Sequence, residues 1–273
     1  MAGKSAKLAR MNVFDAETRE TDAQIEAKLN ERFSVLEDLA NAAVTGEARA
    51  LIVSGPAGLG KSFTIEKVLN DYDPSESVYT IVKGYVRATG IIRLLYQFRH
   101  PGNVIVFDDA DSVFFDDVAL NLLKAACDTC DRRVISYMTE NQMEDEDGGI
   151  IPKSFDFEGT VIFITNMSFD REIDRGSKLA PHFTALISRS HYVDLAMHTK
   201  RDYLIRIKMI CREGMLRMNG CNKQEEADVV DFIEKHADQL RELSLRMALK
   251  LAALRKTSPE RWEKMARVTC LRN

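Results

Sequence analysis

Eight residues constrain this chain more than any others: Gly55-Pro56-Ala57-Gly58-Leu59-Gly60-Lys61-Ser62. They complete the phosphate-binding pattern G-x-x-x-x-G-K-[ST], and they sit where that pattern needs to sit. The apolar run Ala50-Leu51-Ile52-Val53 leads in as a buried strand, and the stretch Ser62 to Asn70 leads out as a helix. The glycines let the backbone curl with its N–H groups pointing inward, and the helix adds its positive N-terminal end. Lys61 can then reach the β and γ phosphates of a nucleotide, and Ser62 can ligate magnesium.

A strand, such a loop and a helix demand a parallel sheet around them. The chain supplies the rest. Ser77 to Lys83, Val104 to Phe107, Thr160 to Thr165 and His191 to Leu195 read as further strands. Gly90 to Arg99, Val118 to Cys127 and Pro181 to Ser188 read as the helices between them. Near-continuous apolar strands alternating with helices imply a parallel sheet covered on both faces. Ahead of the first strand, Ile25, Leu29, Phe33, Leu36 and Leu39 recur at helical spacing over Asp22 to Val44. After Leu195 the periodicity is helical only. Thr199 caps a helix running to about Met218, Glu225 to Arg241 and Ser244 to Lys256 follow, and Ser258-Pro259 opens the last. The expected division is a flexible N-terminal arm over 1–21, an α/β nucleotide-binding domain over 22–198 and a small all-α domain over 199–273.

With 273 residues the chain can bury a sizeable core. No apolar run is long enough to span a bilayer, so no membrane partner is expected. Five cysteines and a polar N-terminus point to a reducing, cytoplasmic setting. Cys127-Asp128-Thr129-Cys130 is a C-x-x-C without a second pair at zinc spacing, and it reads as structural or free thiols. The formal net charge of −4 hides an asymmetry: residues 200–273 hold 17 Lys+Arg against 11 Asp+Glu. A basic C-terminal part beside an acidic body can meet nucleic acid or an acidic neighbour, or can simply be solvated.

Cleaving a nucleoside triphosphate takes magnesium, a group that orients water and positive charge on the γ-phosphate. Asp108 ends the strand Val104–Phe107 at the carboxyl edge, where such sheets bind ligands, and can share the magnesium shell with Ser62. Asp109 follows and can polarise water. Two adjacent acids at a buried strand end are costly unless a cation is near. Asn166 ends the strand Thr160–Thr165 and can place the water or touch the γ-phosphate; a plain turn asparagine is the alternative. Arg189, between a helix and a strand, is either a surface residue or a finger for a neighbour's nucleotide.

In order and spacing these motifs resemble the AAA+ ATPase superfamily over about residues 22–256. Walker A matches 55–62, with Phe63 counted among the nucleotide-contacting residues, and Walker B resembles Val104 to Asp109. Sensor 1 resembles Asn166, the arginine finger Arg189, and sensor 2 Arg246 in Leu243-Ser244-Leu245-Arg246. The wording around Ser177 to Arg189 is similar to small phage-encoded AAA+ proteins, for which the setting is the host cytoplasm. The resemblance implies a five-stranded P-loop NTPase sheet, a helical lid, ATP with Mg2+, and a homo-oligomeric, hexameric ring with ATP at its subunit interfaces. Lys61, Asp109, Asn166 and Arg189 would then carry catalysis. The usual Walker B glutamate is Asp109 here, one methylene shorter. Gly84-Tyr85-Val86-Arg87 resembles a pore loop, with Tyr85 as the aromatic grip and Arg87 where a second glycine often stands. The acidic stretch 144–149, flanked by Val134 to Tyr137 and Ser154 to Phe157, reads as a hairpin tip. Two functions follow: a motor that remodels or translocates protein or nucleic acid, or a slow-hydrolysing assembly factor held together by nucleotide.

Overall fold

The computed structural model describes residues 20–145 and 147–272, and the chain divides into two compact units. One spans 34–196; the other gathers the segment up to Phe33 with residues 197 onward. Most of the expected arm, up to residue 19, lies outside the described residues.

The first unit is a five-stranded, all-parallel sheet flanked by helices. Its strands are β1 (Ala50–Ser54), β2 (Tyr79–Lys83), β3 (Val104–Asp108), β8 (Thr160–Thr165) and β9 (His191–Asp194), in the order β2-β3-β8-β1-β9. Every residue of β1, β3 and β8 is buried, as their unbroken apolar character requires. Alternate residues divide between the faces. Ile52, Ile105, Phe107, Val161 and Phe163 share one core with α3 (Ala88–Gln97), α4 (Asp117–Ala126) and α6 (Ala180–Ile187). Leu51, Val53, Val106 and Ile162 are as deeply buried on the other face.

An aromatic chain runs through the first of these cores. Phe107 stacks on Phe163, Phe114 meets Phe163, Phe169 and Phe183, and Phe169 stacks on Phe183 at 4.0 Å. It clamps the 3-10 turn Asp111–Phe115 and α5 (Phe169–Asp174), an element the sequence reading passed over, against the sheet. Truncating a buried ring such as Phe114 costs about 3–5 kcal/mol, so the segment following β3 is held firmly.

The expected hairpin forms in two steps. β4 (Val134–Ser136) pairs antiparallel with β7 (Ser154–Asp156), and β5 (Met143–Glu144) with β6 (Ile150–Ile151). Asp145 Oδ1 accepts from the backbone N–H of Asp147 and Gly149, closing the tip.

The second unit is helical, as expected after Leu195. It contains the start of α1 (Asp22–Val44), then α7 (Lys200–Arg212), α8 (Met215–Met218), α9 (Lys223–Lys235), α10 (Leu245–Thr257) and α11 (Trp262–Cys270). Thr199 caps α7 with a full capping box through Asp202. The single helix expected to run on to Met218 breaks at Gly214, whose φ of 104° only glycine adopts freely. Asn222 and Glu225 cap α9 two residues earlier than the sequence suggested, and Ser244 caps α10. The last helix starts at Trp262, after a turn at Pro259–Arg261. Its ring packs on Phe232, and Ala266 and Cys270 continue the same buried face. Among the described residues no helix is long and apolar enough to cross a membrane.

Candidate active site

The sheet order decides the site. β1 runs beside β8, pairing Ser54 with Thr165, and β8 runs beside β3, pairing Ile164 with Asp108. The carboxyl ends of three strands therefore meet at one edge, carrying the glycine loop, Asp108-Asp109 and Asn166. Gly55 takes a φ of 149°, and a Cβ there would lie 3.0 Å from that of Leu195, so a side chain has neither the backbone freedom nor the room. α2 (Lys61–Tyr72) opens immediately after Gly60, itself at φ 98°. The loop is thus the strand–glycine–helix cradle that the motif requires. Phe63, on the first turn of α2, is 69% exposed.

Lys61 is buried, and its Nζ donates to the carbonyls of Gly55 and Pro56 and, at 2.9 Å, to Asn166 Oδ1. Asn166 in turn donates through Nδ2 to Asp109 Oδ1 at 2.8 Å. Ser62 Oγ donates to Asp108 Oδ1 at 2.9 Å. Five candidates from three places in the sequence, 61–62, 108–109 and 166, thus form one connected group. Two hard oxygen donors in contact, a hydroxyl and a carboxylate, fit the one or two protein ligands with which Mg2+ is usually held beside substrate phosphates. Among the described residues no group of three or more His, Cys, Asp or Glu side chains is placed to hold a metal ion.

Asp109 has a φ of 52°. The left-handed region costs most residues about 1–2 kcal/mol, and Asp and Asn tolerate it best. The backbone N–H of Asp109 still donates to Ile164 O at 3.0 Å, so the chain turns sharply off the sheet at this residue. That turn leaves its carboxylate exposed and aimed at Asn166 while Asp108 stays buried.

Lys83, Asp111 and Thr165 complete the edge. Lys83 ends β2, and the register sets it against Asp108. Its Nζ lies 3.3 Å from Asp108 Oδ2 and 2.8 Å from Glu66 Oε1. The Glu66 hydrogen bond, with a smaller contribution from Asp108, raises the Lys83 pKa above its ordinary value. Asp111 accepts a 2.7 Å hydrogen bond from Thr165 Oγ1. Burial raises its carboxyl pKa, and the charge of Asp109 adds to the rise. Only the strand order could have revealed Lys83 and Thr165.

The remaining candidates make other contacts. Arg189 Nη1 donates to Ala185 O at 2.8 Å, and its Nε is 3.9 Å from Asp128. Arg246 belongs to the other unit and is exposed on the first turn of α10. Tyr85 is 74% exposed directly after Gly84, which has a φ of 92°. All five cysteines are free, and burial pushes the Cys127 thiol up to about 12.

A curated protein of Enterobacteria phage T4, an uncharacterized 36.7 kDa protein from the nrdC-mobD intergenic region, is 36% identical over 252 residues. The match covers 92% of this chain and 77% of that protein. The chain belongs to that phage protein's family. No protein-family model matches it. Among solved structures it is similar to a Thermotoga maritima RuvB mutant at a TM-score of 0.48 and 15% identity, over 89% of this chain and 70% of that one. Domain III of the replication initiation protein DnaA from Thermotoga maritima gives 0.44 at 13% identity, over 84% of each. NtrX from Brucella abortus, in complex with ADP, gives 0.45 at 13% identity, over 92% of this chain and 53% of that one. These likenesses are distant. The chain resembles the AAA+ superfamily in its own right, through its five-stranded parallel sheet and the order of the motifs along it.

Proposed function

We propose that the protein is an AAA+ ATPase that binds ATP with Mg2+ at the edge built by β1, β3 and β8. The supporting observation is the connected group itself: Lys61 bonded to Asn166, Asn166 to Asp109, and Ser62 to Asp108. In this reading the loop from Gly55 to Gly60, through the backbone N–H groups that follow Pro56, and the first turn of α2, with Phe63, hold the phosphates and nucleotide. Lys61 exchanges its carbonyl and amide partners for phosphate oxygens. Ser62 and Asp108 would hold the magnesium ion, which would supply charge neutralisation to the phosphates. Asn166 orients a water and Asp109 accepts its proton.

Residues 22–198 are the nucleotide-binding domain in this proposal and 199–273 the lid, whose Arg246 reaches the nucleotide. Arg189 serves the neighbouring subunit of a homo-oligomeric, hexameric ring that remodels or translocates a macromolecule, with Tyr85 as its grip. The setting is the cytoplasm. A slow-hydrolysing, nucleotide-held assembly factor is the second reading. Asp109 favours it, because the shorter carboxylate is tied to Asn166.

Lys61→Ala tests the core of the proposal. Binding of a fluorescent ATP analogue and phosphate release should both be lost while the fold, read by circular dichroism, persists. Unchanged affinity and turnover would refute the assignment.

A further inference from the structure

The positive charge of the helical unit is not spread evenly. Residues 200–240 hold eight basic and eight acidic side chains, whereas 241–272 hold nine basic and only three acidic. The excess therefore lies entirely on α10, α11 and their flanks. Eight of those nine bases are exposed, and the ninth, Arg255, is half-buried and paired with Asp228.

Part of this excess forms a strip. α11 buries Trp262, Ala266 and Cys270, which turns Arg261, Lys264, Arg267 and Val268 to the opposite, exposed side. Past the helix end, Arg272 N donates to Gln239 O, and Arg241 N donates to Cys270 O at 2.9 Å. Arg272 Nη2 also donates to Arg241 O at 3.1 Å, so these two arginines stand together where α11 ends. Glu263 meets Arg267 at 3.5 Å, and Glu242 is engaged by Lys250. Among the described residues no carboxylate pairs with Arg241, Arg261, Lys264 or Arg272.

We propose that this strip, Arg261, Lys264, Arg267, Arg272 and Arg241, binds the sugar-phosphate backbone of nucleic acid without regard to sequence. The helix alone is roughly 13 Å long, enough to face several phosphates at about one charge per 1.7 Å of duplex axis. No aromatic side chain stands in the strip to stack on bases, so it reads charge rather than sequence. Two other occupants fit worse. A membrane-surface helix needs a free apolar face, and that of α11 is already spent on Trp262, Ala266 and Cys270. A protein partner needs an apolar or aromatic anchor at the centre of its contact, and the strip offers only Val268. As a statement of which macromolecule the ATPase acts on, this rests on the reading above. The binding itself belongs to one unit and needs no nucleotide, so the two proposals can fail separately.

The test is fluorescence anisotropy of the full chain, nucleotide-free, with a labelled random 30-base single strand and a random duplex over a salt series. The wild type should bind both, with an affinity that falls linearly on a log–log plot against salt. The triple variant Arg261→Gln, Lys264→Gln, Arg267→Gln should lower the duplex slope by about 3 and the affinity at about 0.1 M salt on the order of a hundredfold. A control, Lys223→Gln with Lys235→Gln, removes exposed charge from the balanced segment and should change affinity much less. Circular dichroism of both variants checks folding, and Lys264→Arg should bind like wild type. The proposal is overturned by wild-type protein that binds no nucleic acid at low salt, by a triple variant with unchanged slope, or by equal losses in triple and control. Preference for anionic phosphatidylserine vesicles over both nucleic acids would overturn it too.

Discussion

Asp109 carries a burden on the backbone and, in the proposed function, a second one in chemistry, and substitution can tell them apart. Its φ of 52° needs a residue that tolerates the left-handed region, and its Oδ1 accepts from Asn166 Nδ2. Asp109→Asn keeps both, because asparagine tolerates that region and its amide oxygen can still accept. Asp109→Ala keeps neither. It takes on left-handed strain of about 1–2 kcal/mol and loses an exposed hydrogen bond worth roughly 0.5 kcal/mol. Asp109→Gly relieves the strain but adds unfolded-state entropy of only about 0.4–1 kcal/mol, so it should lie between them. For a chain this long each kcal/mol moves the thermal midpoint by about 2–4 °C. Alanine should therefore melt about 3–10 °C below wild type and asparagine within about 1 °C of it. Catalytically the order disappears: all three lack the carboxylate, and all should lose turnover by roughly two to four orders of magnitude, the usual size of a general-base effect. The assays are differential scanning fluorimetry and steady-state phosphate release on the same preparations. An alanine variant as stable as asparagine would refute the backbone argument. An asparagine variant that turns over normally would refute the proton-accepting role and move it to Asp111 or another group.

Asp111 predicts a pH dependence of stability. Burial raises its folded-state pKa above that of the unfolded chain, so the folded state holds the proton more tightly and stability falls as pH rises through that interval. Asp111→Asn should therefore raise the melting midpoint at pH 7 and lose the advantage at or below about pH 4, the ordinary aspartate range; a gain that is the same at both values would contradict this. Lys83 faces Asp108 at 3.3 Å, and its ammonium competes with any other cation there for about 1 kcal/mol in water. Lys83→Met should thus lower the magnesium concentration that half-saturates nucleotide binding severalfold, and an unchanged titration would show that Lys83 does not bear on Asp108. If Arg189 acts across a subunit interface, mixing inactive Lys61→Ala with inactive Arg189→Ala should restore turnover; mixed oligomers without restored activity would exclude that role.

The parts of this protein that short stretches of chain can specify were legible directly. The glycine loop is one, because backbone freedom, helix start and lysine are all set within eight residues. The apolar strands and the caps at Thr199 and Ser244 are others, since burial patterning and capping act over a turn or two. What the sequence could not declare is which strand ends become neighbours. Lys83 lies 25 residues before Asp108, and Thr165 54 residues after Asp111; each pair meets only because the sheet runs β2-β3-β8-β1. The left-handed turn at Asp109 belongs to the same class. Nothing in Asp108-Asp109-Ala110 demands it. It arises where β3 is held to β8 through Asp109 N, while the chain beyond is drawn back under the sheet by Phe114. Local chemistry determined the glycine loop, and long-range strand pairing decided which side chains stand around it.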